Sequence, residues 1–158
     1  MLSFRIVRRR LRLKKARPKN SLYTSHKEFA RTLILERLEF FNQTGVYTYN
    51  RVAIRDQKRC WGSCSSKGNL NFSYKLLFLP PCLRDYIIVH ELSHLKVLNH
   101  SADFWSVVET HMPDYVIRMQ TLRHLEKTVG TSLAALKKFH NSHSCVSCEQ
   151  TVVLDEIN

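Results

Sequence analysis

The chain has 158 residues and a net charge of +12, with 44% hydrophobic residues and only 4 Gly and 4 Pro. This length and composition are typical of one globular domain with short tails, and no apolar run approaches the ~20 residues of a membrane span. The charge is uneven, since residues 1–27 hold 10 Lys or Arg and no Asp or Glu, whereas the remainder holds 15 against 13. We therefore expect a nearly neutral domain behind a basic N-terminal arm, residues 1–21.

The first predicted elements are an edge strand and a helix. Residues 4–13 alternate loosely between charged and apolar side chains, which favours a short strand whose charges discourage edge-to-edge pairing. Ser25 and Glu28 form a Ser-x-x-Glu capping box, so a helix should begin there and run to about Asn42. Its apolar stripe is expected to comprise Phe29, Leu33, Leu35, Leu38, Phe40 and Phe41.

A β-hairpin is predicted next. Residues 46–56 are rich in β formers and alternate as a half-buried strand does. The turn-rich stretch 61–69 then precedes a second strand at 70–74. A short strand, a tight turn and a second strand are typical of a hairpin.

The central element should be a helix over residues 81–98. Two prolines, Pro80 and Pro81, suit a helix start. Because the segment is apolar on most sides, we expect it to be buried. Asn99 would end it in a left-handed conformation, which Asn tolerates.

Two further helices should follow. Ser101 can cap a short helix at 102–111, and Pro113 would begin another that runs to about 126. From 127 the helical pattern weakens, so residues 127–158 are predicted to form a C-terminal extension or tail, with a short helix at 131–140.

The segment His90-Glu91-Leu92-Ser93-His94 carries the clearest chemistry. On a helix, two imidazoles one turn apart can bind one zinc ion, and Glu91 lies beside them as a general base. His100 would supply a third ligand and leave a fourth position for water, as in catalytic rather than structural zinc sites. The alternative is a set of ordinary core or surface histidines. Clustered polar groups on an otherwise apolar helix favour the metal, and imidazole ligands suit Zn²⁺ best.

The histidine spacing matches that of the metzincins, but Val97 replaces their glycine, so the helix should end later, near Asn99. A closer resemblance is to the YgjP-like metallopeptidases, relatives of the SprT and WLM zinc peptidases. It covers roughly residues 22–125 and rests on separate blocks in order: WGSCSSKGNL at 61–70, the prolines at 80–81, DYIIVHELSHL at 85–95, NHS at 99–101, FW at 104–105 and MPDY at 112–115.

This resemblance implies a zincin-like α+β fold over residues 22–126. The fold would combine a small antiparallel or mixed sheet with an N-terminal helix, a buried metal-binding helix and the helices after it. It also implies His90, His94 and His100 as zinc ligands and Glu91 as the catalytic glutamate. Cys60 departs from the family, which usually has Arg before the Trp, and the Cys-containing tail is not part of the family pattern.

The expected activity is zinc-dependent hydrolysis of peptide bonds, with protein or peptide substrates. Zinc would activate water and polarise a carbonyl, while Glu91 would carry the proton to the leaving amine. An oxyanion stabiliser is also needed, for which Tyr115 is a weak candidate against an ordinary packed tyrosine. The hairpin would either offer an edge strand to an extended peptide, or simply place Trp61 in the core with Gly62 as a turn residue.

The cysteines are open to two interpretations each. Cys64 has no clear histidine partner, so a buried small residue is favoured over a nucleophile or ligand. The Cys145-x-x-Cys148 pair, with His140 and His143 nearby, resembles half a zinc site, but a lone pair of this kind is weak evidence and an inert tail is favoured.

The basic arm either binds nucleic acid by neutralising phosphates or is a solvated segment that protects a sheet edge. An Arg-rich, acid-free start also resembles a mitochondrial presequence. No helical apolar face is clear there and charge interrupts any secretory core, so we expect a cytoplasmic protein with no membrane association. The sequence does not indicate which oligomeric state the protein has.

Two other classes of function stay open on sequence. One is a metal-dependent hydrolase of a non-peptide bond such as a nucleotide phosphoanhydride, although no phosphate-cradling Gly-rich loop is present. The other is a nucleic-acid-associated module whose zinc is structural.

Overall fold

A computed structural model describes residues 21–128 of the chain. The strand predicted at 4–13, most of the basic arm and nearly all of the C-terminal extension, including the helix predicted at 131–140, lie outside the described residues. Those interpretations stay predictions.

Helix α1 spans Ser21–Phe41. The predicted start at Ser25 is wrong, because Ser25 lies inside the helix and its hydroxyl donates back to the Leu22 carbonyl. Such back-bonding is the usual alternative to capping for a serine within a helix. The buried face is also narrower than predicted: Ala30, Ile34 and Leu38, each four residues apart, are fully buried. Phe29 and Phe40 of the predicted stripe are 66% and 52% exposed.

A three-stranded mixed sheet follows, formed by β1 (Arg51–Arg55), β2 (Gly62–Cys64) and β3 (Asn69–Ser73) in the order β1-β3-β2. The hairpin predicted between residues 46–56 and 70–74 is wrong, because β1 runs parallel to β3. A short strand inside the predicted turn, β2, pairs antiparallel with β3 instead. Buried side chains of β1 and β3, namely Ile54, Leu70 and Phe72, fix one face of the sheet in the core. Because β2 lies at one end of the strand order, no strand among the described residues pairs with its outer edge.

Helix α2 spans Pro81–Ser93 and follows a short 3₁₀ helix at Tyr74–Phe78. It is buried along most of its length, as predicted. It ends five residues earlier than expected, however. Turn hydrogen bonds from Leu95 to Leu92 and from Lys96 to Ser93 replace the helical pattern. Asn99 does not adopt the predicted left-handed conformation either, because no described residue other than glycine has a positive φ.

Helices α3 (Ala102–His111) and α4 (Tyr115–Thr128) complete the described part. α3 begins after Ser101 as predicted, although the Ser101 side chain makes no capping hydrogen bond. Both helices pack on α2, through Phe104 and Val108 of α3 and Leu122 and Leu125 of α4. Four helices around a small mixed sheet confirm the predicted α+β class. None of the described helices is long and apolar enough to cross a membrane.

Candidate metal centre

Three histidines come together at the C-terminal end of α2. His90 lies in the last turn of the helix, His94 is the residue after it, and His100 lies in the segment that leads into α3. One nitrogen from each imidazole can be chosen so that all lie within 4.8 Å of one another. The Nε2 atoms of His90 and His100 are 3.1 Å apart. This group could hold one metal ion.

His94 is oriented by the turn that ends α2. Its Nδ1 atom lies 3.1 Å from the carbonyl oxygen of Val97. Since a carbonyl only accepts, Nδ1 carries the proton and Nε2 is left with a free lone pair. A backbone carbonyl on the far nitrogen is the usual second partner of metal-binding histidines. The early end of the helix therefore has a direct effect on the site, because it brings Val97 within reach of His94.

Two aromatic side chains, Phe104 and Trp105, pack against the imidazoles. The Phe104 ring is fully buried, and its centre lies 4.9, 4.4 and 4.8 Å from the ring centres of His90, His94 and His100. Trp105 stacks on the otherwise exposed His100 at 5.8 Å. Phe104 and Trp105 therefore limit the rotamers open to the histidines.

Burial favours the neutral form of the His90 and His94 imidazoles in the metal-free protein. It lowers the pKa of His90 to about 3, and the nearby His94 and His100 act in the same direction. Burial also lowers the pKa of His94, partly opposed by the hydrogen bond to Val97. A neutral imidazole is the form that binds a metal, so little proton competition is expected near neutral pH.

Glu91 lies next to the histidines and is buried, with 6% of its surface exposed. Burial raises the pKa of its carboxyl to about 8. Its Oε2 atom has no hydrogen-bond partner among the described residues. A carboxyl with a pKa near neutral and an unused oxygen can accept and return a proton at neutral pH.

The donor set fits zinc. Two imidazole nitrogens about 2.0–2.1 Å from one tetrahedral ion lie roughly 3.3 Å apart, close to the separation of the His90 and His100 nitrogens. Nδ1 of His90, like Oε2 of Glu91, is buried without a partner in the described part of the chain. Such atoms are costly in a closed core, and they are typical of a site that a ligand or water completes.

Two cavities flank the histidines. One, of about 290 Å³, is lined by His90 and Glu91 together with Trp61, Tyr86, Leu122 and Glu126. The other, of about 340 Å³, is lined by His94 and by polar and basic groups that include Ser65, Lys67 and Lys96. The first cavity combines apolar and aromatic walls with ionisable side chains, including Arg59, whereas the second has two lysines and no acidic residue. The two sides of the centre therefore differ in chemistry.

Other residues singled out from the sequence lie close by without joining the histidine group. Cys64 is a free, half-buried thiol on β2, and burial followed by the charge of Glu91 raises its pKa. This makes it a poor nucleophile, in line with the favoured interpretation. Tyr115 stacks on Trp105 at 5.3 Å. Trp61 is buried, and its indole N–H donates to Glu126 at 2.7 Å.

Sequence reasoning missed the walls of the first cavity. Tyr86 stands one helical turn before His90, and its ring centre is 6.0 Å from the imidazole. The i, i+4 spacing was visible in the sequence, but an aromatic at that position is equally typical of a core residue. Glu126 belongs to a distant helix, and no local pattern points to it.

Comparison with known proteins gives a family and a fold. The sequence matches the YgjP-like metallopeptidase domain over residues 4–125. No curated protein gives a significant match. The crystal structure of the metallopeptidase zymogen of Pyrococcus abyssi abylysin is 29% identical, with a TM-score of 0.51, over 60% of this chain and 94% of that chain.

The metallopeptidase zymogen of Methanocaldococcus jannaschii jannalysin is 22% identical, with a TM-score of 0.46, over 62% of this chain and 95% of that chain. The domain match alone spans well over half of the sequence. The chain is a metallopeptidase of the YgjP-like family.

Proposed function

We propose that this protein hydrolyses peptide bonds with zinc held by His90, His94 and His100 and with Glu91 as general base. The catalytic domain would comprise residues 22–126, between the basic arm at 1–21 and the extension at 127–158. The observation that carries the proposal is the convergence of three imidazole nitrogens within 4.8 Å, beside a buried glutamate.

The chain's own residues supply the proton chemistry. When bound, zinc provides Lewis acidity that makes water nucleophilic near neutral pH and polarises a carbonyl. Glu91 accepts the proton of the attacking water and returns it to the leaving amine nitrogen. Burial helps in both directions, because it makes the carboxylate a stronger base and the protonated carboxyl stable enough to act as an acid.

The substrate would lie along the outer edge of β2. Backbone groups at this edge can pair with an extended peptide, which is the usual mode of strand addition. α2 packs against β2, and Gly62 of β2 lines the same cavity as His90 and Glu91, so a peptide at this edge would lie near the histidines. The two cavities then take side chains on either side of the scissile bond, an apolar one beside Tyr86 and Leu122 and an acidic or polar one beside Lys67 and Lys96.

The test is Glu91→Gln, which keeps the size of the side chain but not its proton chemistry. We expect zinc to stay bound at one ion per chain. We expect kcat to fall by about 10²–10⁴-fold, the usual contribution of a positioned general base. The measurement combines metal analysis with cleavage of a peptide library, with and without double-stranded DNA to engage the basic arm. Glu109→Gln, on the exposed face of α3, is the matched control.

Two results would contradict the proposal. Full activity of the Glu91→Gln variant would show that Glu91 is not the general base. Turnover of a nucleotide but of no peptide would leave the metal centre in place and assign it to a different class of substrate.

A further inference from the structure

Gly62, the first residue of β2, lies against the side chain of Glu91. A Cβ atom built on Gly62 would be 2.7 Å from both Cγ and Oε1 of Glu91 and 2.9 Å from its Cδ. Carbon atoms in contact normally stay about 3.5–4.0 Å apart. The carboxylate and its stem therefore occupy the space that a side chain at position 62 would need.

The strand side of this contact is fixed, so the Glu91 side chain is the part that must move. β2 is held by its pairing with β3, where Gly62 lies opposite Phe72, and by the 2.7 Å bond from the Ser73 N–H to the Trp61 carbonyl. The Trp61 indole is also tied to Glu126 of α4. On the other side, α2 is buried along most of its length, whereas the Glu91 side chain lines the cavity of about 290 Å³. An added methyl would therefore be accommodated by moving the carboxylate rather than the helix.

We propose that Gly62 is the positioning residue for Glu91. The absence of a side chain lets the strand backbone pack directly on the glutamate, and this contact fixes where the carboxylate stands relative to the three histidines. The catalytic consequence rests on the proposed role of Glu91 as general base. The same strand would then bind the peptide and hold the group that moves the proton.

The first measurement is the kinetics of Gly62→Ala. An added methyl must displace the carboxylate by about 1 Å, which costs roughly 10²-fold in rate when a catalytic group loses its alignment. We expect this loss in kcat, with KM changed by less than about threefold and zinc still bound at one ion per chain. Gly45→Ala is the matched control, because a Cβ there meets nothing within 4 Å and any backbone strain at its positive φ affects stability alone.

The second measurement does not depend on activity. All three close contacts are made by Glu91 atoms beyond Cβ, so Glu91→Ala removes them. Gly62→Ala should lower the Tm of the parent by roughly 4 °C, the low end for overpacking because the Glu91 side chain can move, but leave the Tm of the Glu91→Ala protein nearly unchanged. Should Gly62→Ala alone fail to fold, a folded Gly62→Ala/Glu91→Ala protein would show the same coupling.

The outcomes separate this proposal from the proposed function. Equal Tm losses in both backgrounds, a double variant that also fails to fold, or a kcat for Gly62→Ala within about twofold of the parent would overturn the positioning role. An active Glu91→Gln variant would instead contradict the role of Glu91 as general base, and it would not affect the steric coupling between Gly62 and Glu91.

Discussion

Arg37 of α1 and Asp85 of α2 form a two-pronged ion pair. The guanidinium donates from Nε and Nη2 to the two carboxylate oxygens, each at 2.9 Å. The same guanidinium lies 4.2 Å from the ring centre of Phe40. This pair joins the first helix to the helix that carries His90 and Glu91.

Breaking this pair should lower stability measurably. Both partners are largely covered, with side-chain exposures of 29% and 14%. The contribution of this ion pair to stability should therefore lie between that of a surface pair and that of a buried pair. We expect Asp85→Asn to lower the free energy of unfolding by about 1–3 kcal/mol. Arg37→Lys should lower the free energy of unfolding by nearly as much, because lysine cannot donate two parallel hydrogen bonds to the carboxylate.

Urea denaturation of the metal-loaded protein measures this effect. Arg31→Gln is the control, since Arg31 pairs with an exposed glutamate, Glu28, and should cost less than about 0.5 kcal/mol. Equal effects at the two pairs would show that Arg37 and Asp85 contribute no more than surface charges do.

Each histidine of the cluster should be needed for metal binding. Loss of an outer partner of a metal ligand typically costs 10–100-fold in affinity, so loss of a ligand itself should cost more than about 10²-fold. We expect His90→Ala, His94→Ala and His100→Ala each to lose zinc during dialysis against a weak chelator. His124→Ala, on the exposed face of α4, should keep one ion per chain.

Metal analysis by mass spectrometry after dialysis reads out this prediction. Retention of stoichiometric zinc by any one of the three variants would remove that histidine from the ligand set.

The buried carboxyl of Glu91 should make the stability of the metal-free protein depend on pH. Burial raises its pKa from 4.5 to about 8, so between these values the folded protein holds a proton that the unfolded chain has released. Stability therefore falls as pH rises through this window, and the whole penalty is present above it. Glu91→Gln should be more stable than the parent at about pH 9, by on the order of a few kcal/mol, and nearly equal to it at about pH 4.

The comparison uses chelator-treated proteins and denaturant midpoints across the pH range. His90 has the opposite effect, since its lowered pKa makes stability rise with pH up to about 6.5, but it is present in both proteins and largely cancels in the difference. A difference between variant and parent that does not vary with pH would show that Glu91 is ionised in the folded protein as easily as in water.

The sequence predicted those features that depend on local pattern. Alternating residues located the strands β1 and β3, although not the direction of their pairing, and helical spacing brought His90 and His94 to one face. These signals are local, so one sequence is enough to detect them.

Features that leave no periodic pattern in the sequence were missed. α2 ends at Ser93, and the turn after it includes the contact between His94 and the Val97 carbonyl, but the apolar pattern up to Leu98 concealed this end. Gly62 was interpreted as a turn residue or part of a binding edge. Its real neighbour is Glu91, far away in the sequence, and no spacing rule connects the two.

The early end of α2 also divides the metal centre into parts of unequal local stability. His90 belongs to a buried helix, whereas His94 and His100 belong to the irregular segment between α2 and α3, much of whose surface is exposed. Local opening of that segment needs less free energy than global unfolding, and it would withdraw two of the three proposed ligands at once. A bound ion acts as a cross-link across this chain loop, so amide hydrogen exchange at residues 94–101 should report metal release before α2 itself loosens.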